Sequence, residues 1–144
     1  MATLLIENAD ERLNFLPKFF GIRSVIVEQA VYKYAQRYIE GYKGGFWKFF
    51  QAGKAPLMVW DHDEEVTLYT EFTSFDTNVQ TASLAVMMLS LNHLTWAIYK
   101  KHEAFARELQ KVYDDLRDWL YSDATEDEVK AFGIDRNVVW NMLD

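Results

Sequence analysis

The stretch Tyr42-Lys43-Gly44-Gly45-Phe46-Trp47-Lys48-Phe49-Phe50 decides the fold. Two adjacent glycines free the backbone for positive φ, or for close approach by another segment. Four aromatics in five residues follow, a composition suited to a pleated, half-buried strand. Such punctuation predicts a turn entering the first strand of a sheet, and the start of a core. A second reading of the same stretch is a contact surface, with Lys43, Lys48 and Lys54 flanking exposed rings.

Downstream of this strand (46–50), residues 51–55 read as a turn containing Gly53. Residues 56–60 read as a second strand, with Pro56 at its start, where proline is tolerated. After the polar turn 61–65, Val66, Leu68 and Phe72 alternate with Thr67, Tyr69 and Glu71, the period of a third strand with one solvated face. Upstream, Ser24 is placed to cap a helix running to about residue 40. Val27, Ala30, Val31, Tyr34 and Tyr38 take one face of that helix, and Glu28, Lys33, Gln36 and Arg37 the other. Gly41 ends it. Before it, Pro17 is expected to push Leu16 out of helix, and Phe15, Leu16, Phe19 and Phe20 form an apolar clamp. Residues 1–10 read as an extended or disordered tip.

The second half is helical. Asn78 caps a long apolar helix through Leu84, Met88, Leu91, Leu94 and Ile98, with a break expected near residues 100–102. A helix over 103–121 carries Phe105, Leu109, Val112, Leu116 and Leu120 on one stripe. Thr125-Glu126-Asp127-Glu128 matches a capping box for a short helix that Gly133 ends, and Asp135 caps a last one holding Val138, Val139 and Leu143. The fold class is therefore α+β: an N-terminal helix, a three-stranded antiparallel meander, then C-terminal helices packed on the sheet. Residues 1–144 make a single domain, with 123–144 as a C-terminal extension.

Composition limits the functions. Half the residues are hydrophobic and 16% aromatic, which argues against disorder. There is no cysteine, which excludes disulfides, thiolate metal sites and a Cys nucleophile, and fits a reducing cytoplasm. Residues 77–99 hold no Asp, Glu, Lys or Arg, but Asn78, Gln80, Asn92 and His93 make a membrane span costly, so a buried helix is expected. Up to Tyr113 there are 12 Lys and Arg against 13 Asp and Glu; from Asp114 onward there are 3 against 9. The excess acid thus sits at the C-terminal end, and a basic footprint for nucleic acid is absent.

Catalytic patterns are weak. The chain has no nucleophile elbow, zinc-protease helix, phosphate loop or dinucleotide fingerprint. Asp61-His62-Asp63-Glu64 reads as a solvated turn, because neighbours on a short turn cannot easily surround one ion. His93 reads as a hydrogen-bonded core or edge histidine. Asp114, Asp115 and Asp118 share a helix flank without a second catalytic element. No enzyme, cofactor or metal is expected.

Several motifs together resemble one family, the KlcA/ArdB antirestriction proteins. They are Arg12-Leu13-Asn14-Phe15-Leu16-Pro17 followed by Phe20-Gly21, Tyr42-Lys43-Gly44-Gly45-Phe46-Trp47, Leu91-Asn92-His93-Leu94 and Leu116-Arg117-Asp118-Trp119. The chain departs from the family at Gln51-Ala52-Gly53-Lys54-Ala55-Pro56, at Asn78 where a serine is usual, and in continuing beyond Asp123. The resemblance implies a non-enzymatic protein of mobile DNA, plasmid or phage. It would protect unmodified incoming DNA by binding a bacterial type I restriction complex in the cytoplasm, with no membrane and no sequence-specific nucleic-acid contact. It points to Arg12, Asn14, Lys43, Gly44, Gly45, Trp47, Arg117 and Asp118 as partner-binding residues. Two alternatives stand beside it: an acidic DNA mimic using residues 114–144, whose binding would weaken steeply with salt, and a small enzyme with a deep pocket of converging titratable groups.

Overall fold

Antiparallel pairing runs outward from the aromatic strand. In the computed structural model, which describes residues 3–143, the sheet is β1 (Leu4–Ile6), β2 (Trp47–Ala52) and β3 (Ala55–Trp60), in that order. Trp47 stands opposite Trp60 and Ala52 opposite Ala55. Trp47, Phe49 and Ala52 are buried, so the ring-rich strand is core. The α+β class stands, as does the antiparallel sheet followed by helices.

The identity of the third strand differs from the sequence reading. Residues 4–6, expected as part of a tip, pair with β2 from Leu4 opposite Gln51 to Ile6 opposite Phe49. Residues 1 and 2 of that tip lie outside the described residues. The third strand of the expected meander, β4 (Val66–Tyr69), pairs instead with β5 (Ser74–Thr77) in a separate hairpin. A bridge between Ile39, just past the end of the helix before the sheet, and Leu68 ties that hairpin to the rest of the fold. The free edge of β3 is already occupied: its Met58 N–H meets Met87 Sδ at 3.4 Å and its Trp60 N–H donates to Ser83 Oγ at 3.0 Å. A helix has taken the place of a fourth strand, which also protects the edge.

Local chemistry sets the helices. Asn8 caps α1 (Ala9–Phe15) by accepting from the Asp10 and Glu11 amides. Pro17 opens α2 (Pro17–Phe20) at its first position, where the missing N–H is harmless, and Leu16 before it is helical at φ −64° and ψ −37° rather than extended. Phe15, Leu16 and Phe20 are buried, with Phe19 packed against them. In α3 (Ser24–Tyr38), Ser24 is the first helical residue, and the cap position falls to Arg23, whose side chain makes no cap bond. Val27, Val31 and Ala35 form its inner face.

The core is centred on α4 (Val79–Ile98), capped by Asn78 Oδ1 accepting from the Thr81 amide at 2.8 Å. Every residue from Thr81 to Leu91 is buried, because α3, β3, α5 (Glu103–Tyr121) and α7 (Arg136–Leu143) all pack on it. It is the one helix among the described residues long and apolar enough to cross a membrane, and most of that length is inside the fold. Each Leu or Met buried there contributes about 1.5–3 kcal/mol. The helix break at 99–102 falls where expected. The capping box does not form: the Thr125 hydroxyl, before α6 (Glu126–Phe132), donates back to the Trp119 carbonyl instead. Gly133 ends α6 in the left-handed region at φ +96°, and Asp135 caps α7 through the Asn137 and Val138 amides.

Candidate functional site

The residues singled out by sequence divide into a cluster and three outliers. Arg12 reaches from α1 to the start of β2. Its guanidinium donates to the Trp47 carbonyl at 3.0 Å and lies over the Phe46 ring at 4.4 Å and the Phe49 ring at 4.5 Å. Trp47 itself is 2% exposed, and its Nε1–H donates to the Tyr42 hydroxyl at 2.9 Å. Its side chain is therefore buried within the cluster, beneath the Arg12 guanidinium's hydrogen bond to its carbonyl.

Rings continue the cluster. Tyr42 meets the Trp60 ring edge-on at 5.0 Å, and His62 stacks on Trp60 at 4.2 Å with planes 5° apart. His62 is thus held against an indole, within the polar turn expected from the sequence. Gly45, at φ +131°, lies so close that an added Cβ would stand 3.0 Å from Trp60 Nε1. A side chain there would crowd the Trp60 indole and strain the backbone. Gly44, at φ +99°, faces open space.

These glycines form one wall of a surface groove of about 620 Å³. Tyr42, Lys43, Gly44 and Gly45 line one side, and Gln29, Tyr32, Lys33 and Gln36 of α3 line the other. The α3 residues follow i, i+3, i+4, i+7 spacing, so they form a polar stripe on one helix face. The sequence reading placed Lys33 and Gln36 on the solvent face without joining them to the glycines. The spacing was the available signal; the proximity of the turn was not legible.

Electrostatics at the base of the cluster follow from burial. Desolvation pushes the Tyr32 hydroxyl up to about 12, helped by the neighbouring Glu28 carboxylate. It also raises the Glu28 carboxyl, against the opposing influence of the Tyr32 hydrogen bond at 3.5 Å and of Arg12. Tyr32 packs on Trp47 at 5.8 Å, so α1, α3 and the start of β2 are tied together here.

The remaining residues lie apart from this cluster. Asn14 turns back to the Asp10 carbonyl on its own helix at 2.9 Å. Arg117 pairs with Asp114 at 3.2 Å and lies over the Tyr113 ring, all on α5. Asp118 is an exposed residue of the same helix. His93 is at the surface, its Nδ1 2.9 Å from the Tyr34 hydroxyl. A second cleft, of about 510 Å³, lies between the β4–β5 tip and α4, with Phe72, Tyr69 and His93 in its wall.

The model of the antirestriction protein family matches residues 40–132, the span from the glycine turn to the end of α6. The chain belongs to that family. Two curated relatives are similar in sequence. "Putative antirestriction protein YubI" of Escherichia coli (strain K12) is 28% identical over 114 residues, covering 78% of this chain and 80% of YubI. The uncharacterized protein YafX of the same strain is 25% identical over 91 residues, covering 58% of this chain and 60% of YafX. A solved KlcA and ArdB structure, described as a novel fold with antirestriction activity against type I DNA restriction systems in vivo but not in vitro, superimposes with a TM-score of 0.77. It is 20% identical and the match covers 99% of this chain and 94% of the other. The antirestriction fold therefore takes in the helices after Asp123 as well.

Proposed function

We propose that this chain protects unmodified incoming DNA by binding to a type I restriction-modification system and inhibiting it, without catalysis, in the cytoplasm of a bacterial host. The observation that carries this is the family match over residues 40–132, together with a fold shared with KlcA and ArdB along nearly the whole chain. The family's protective activity is the function this fold supports best.

The site's chemistry supports a binding role. Arg12, the cation built into the cluster, spends its hydrogen bond on the Trp47 carbonyl and its face on two rings. Raised pKa values occur at Glu28, Tyr32, Tyr34, Tyr113 and Tyr121, with burial the first cause in each. They are spread over α3 and α5 rather than gathered about one point. The acidic end is partly neutralised by Lys111–Asp115, Arg117–Asp114 and Lys130–Glu126 pairs, a pattern unlike a phosphate ladder. Lys43, Gly44 and Gly45 are the proposed contact residues, with Arg12 and Trp47 holding their turn in place.

Plating tests the reading. Unmodified phage is plated on hosts with and without a type I system, each with and without expression of this chain. Expression should restore plating on the restricting host toward the level on the non-restricting one. Equal restriction with and without the folded protein would overturn the proposal.

A further inference from the structure

The groove between α3 and the glycine turn combines features that no structural role in the chain uses. Lys33 and Lys43 line it, and neither forms an ion pair among the described residues. Among those residues, the backbone N–H groups of Lys43, Gly44 and Gly45 likewise donate to nothing, nor do the side-chain amides of Gln29 and Gln36. The wall contains no Asp or Glu, on a chain with 22 acidic residues against 15 Lys and Arg. Two lysines without ion pairs among the described residues thus flank unused amides.

We propose that this groove is the docking site for a short acidic peptide segment of the partner protein, lying extended along the polar stripe of α3. Its carboxylates would meet Lys33 and Lys43, and its backbone carbonyls the unused N–H groups of the glycine turn. Gly44 leaves the turn's backbone open to such an approach. The volume of about 620 Å³ suits a few residues rather than a folded element.

A nucleic-acid backbone is the poorer match. Binding to a duplex draws its affinity from many neutralised phosphates. Here two lysines stand on a chain of net charge −7, which repels a long polyanion while leaving a local acidic segment free to dock. The inference rests on the antirestriction reading only for which complex supplies the partner; the binding chemistry is independent of it.

The test uses the full chain and a short capped peptide of alternating Asp and Glu, followed by titration calorimetry and amide chemical shifts. Wild type should bind with a Kd below about 1 mM, and Lys33→Gln/Lys43→Gln should weaken this by at least about tenfold, or ~1.4 kcal/mol. Shifts should fall on Lys43, Gly44 and Gly45, and high salt should weaken binding. The control Lys100→Gln/Lys101→Gln removes the same charge outside the groove and should bind as wild type. Equal binding by the groove variant, equal binding of an Asn/Gln peptide, or tighter binding of a single-stranded oligonucleotide would each overturn the proposal. Plating separates this inference from the functional one. Failure of wild type to protect sinks the antirestriction reading alone. Full protection by the groove double variant, in a strain that wild type protects, sinks the groove as the partner contact.

Discussion

Trp47 is where the sequence pattern and the physics of the site meet. Its ring is buried, its N–H is committed to Tyr42, and its carbonyl holds Arg12. Trp47→Ala is expected to cost ~3–5 kcal/mol through lost burial and the cavity left behind. Trp47→Phe keeps most of the apolar volume but strands the Tyr42 hydroxyl, at a cost of about 1–3 kcal/mol. Chemical denaturation of both checks the order, and equal stabilities of Trp47→Phe and wild type would show that the hydrogen bond contributes nothing. Glu28 makes a prediction about pH. Its carboxyl is raised in the folded state, so the folded chain holds that proton more tightly than the unfolded chain. The charged form is thus a penalty at neutral pH, one that fades as pH falls through the folded value toward the ordinary carboxylate range. Glu28→Gln, which can still accept from Tyr32, should be slightly more stable than wild type at pH 7, by well under about 1 kcal/mol after solvent screening. That advantage should vanish near pH 4. A melting-temperature difference that does not change between those pH values would refute the assignment.

The elements differ in how far the sequence could announce them. β2, β3, α3, α4 and α5 were legible because their signals are local: ring-rich runs, a turn glycine, helical stripes and an asparagine cap. β1 was not, since its three residues gain strand identity only from Phe49–Gln51, more than forty positions away. β5 was hidden by its polar composition, Ser74-Phe75-Asp76-Thr77. The strand β4 was legible, but its partner was not, because nothing local says that Ser83 and Met87 of α4 will occupy the edge of β3. That occupation is testable. Ser83→Ala leaves the Trp60 N–H without its acceptor beside a fully buried helix face, and should cost about 1–3 kcal/mol. Ser83→Cys, which returns a weak acceptor, should recover part of the loss. Hydrogen exchange at the Trp60 amide gives the readout, and unchanged protection in Ser83→Ala would show that the edge is closed by packing alone. For the site, the glycine turn and Arg12 were readable, while the α3 wall needed the fold to bring Gln29, Tyr32, Lys33 and Gln36 against it.

At the scale of the molecule, the acidic C-terminal end separates two kinds of antirestriction chemistry. If its charge imitated DNA, its carboxylates would have to act together, and removing a few should cripple protection. The structure instead spends them locally. Glu126 pairs with Lys130, Asp114 with Arg117, Asp115 with Lys111, and Asp135 caps α7. Exposed pairs of this kind contribute about 0–1 kcal/mol each. Glu126→Gln/Asp127→Asn should therefore leave both stability and protection near wild type. The apolar side of the same segment is another matter. Val129, Ile134, Val138, Val139 and Met142 are buried, and α7 lies directly on α4. Trp140 of α7 is instead 60% exposed, meeting Tyr121 edge-on. Truncation after Ser122 uncovers α4 and should abolish cooperative melting, and protection with it. The pair of variants decides between the readings. A folded charge-neutralised chain that fails to protect would restore mimicry, whereas one that protects fully confines the role of the acidic end to closing the core.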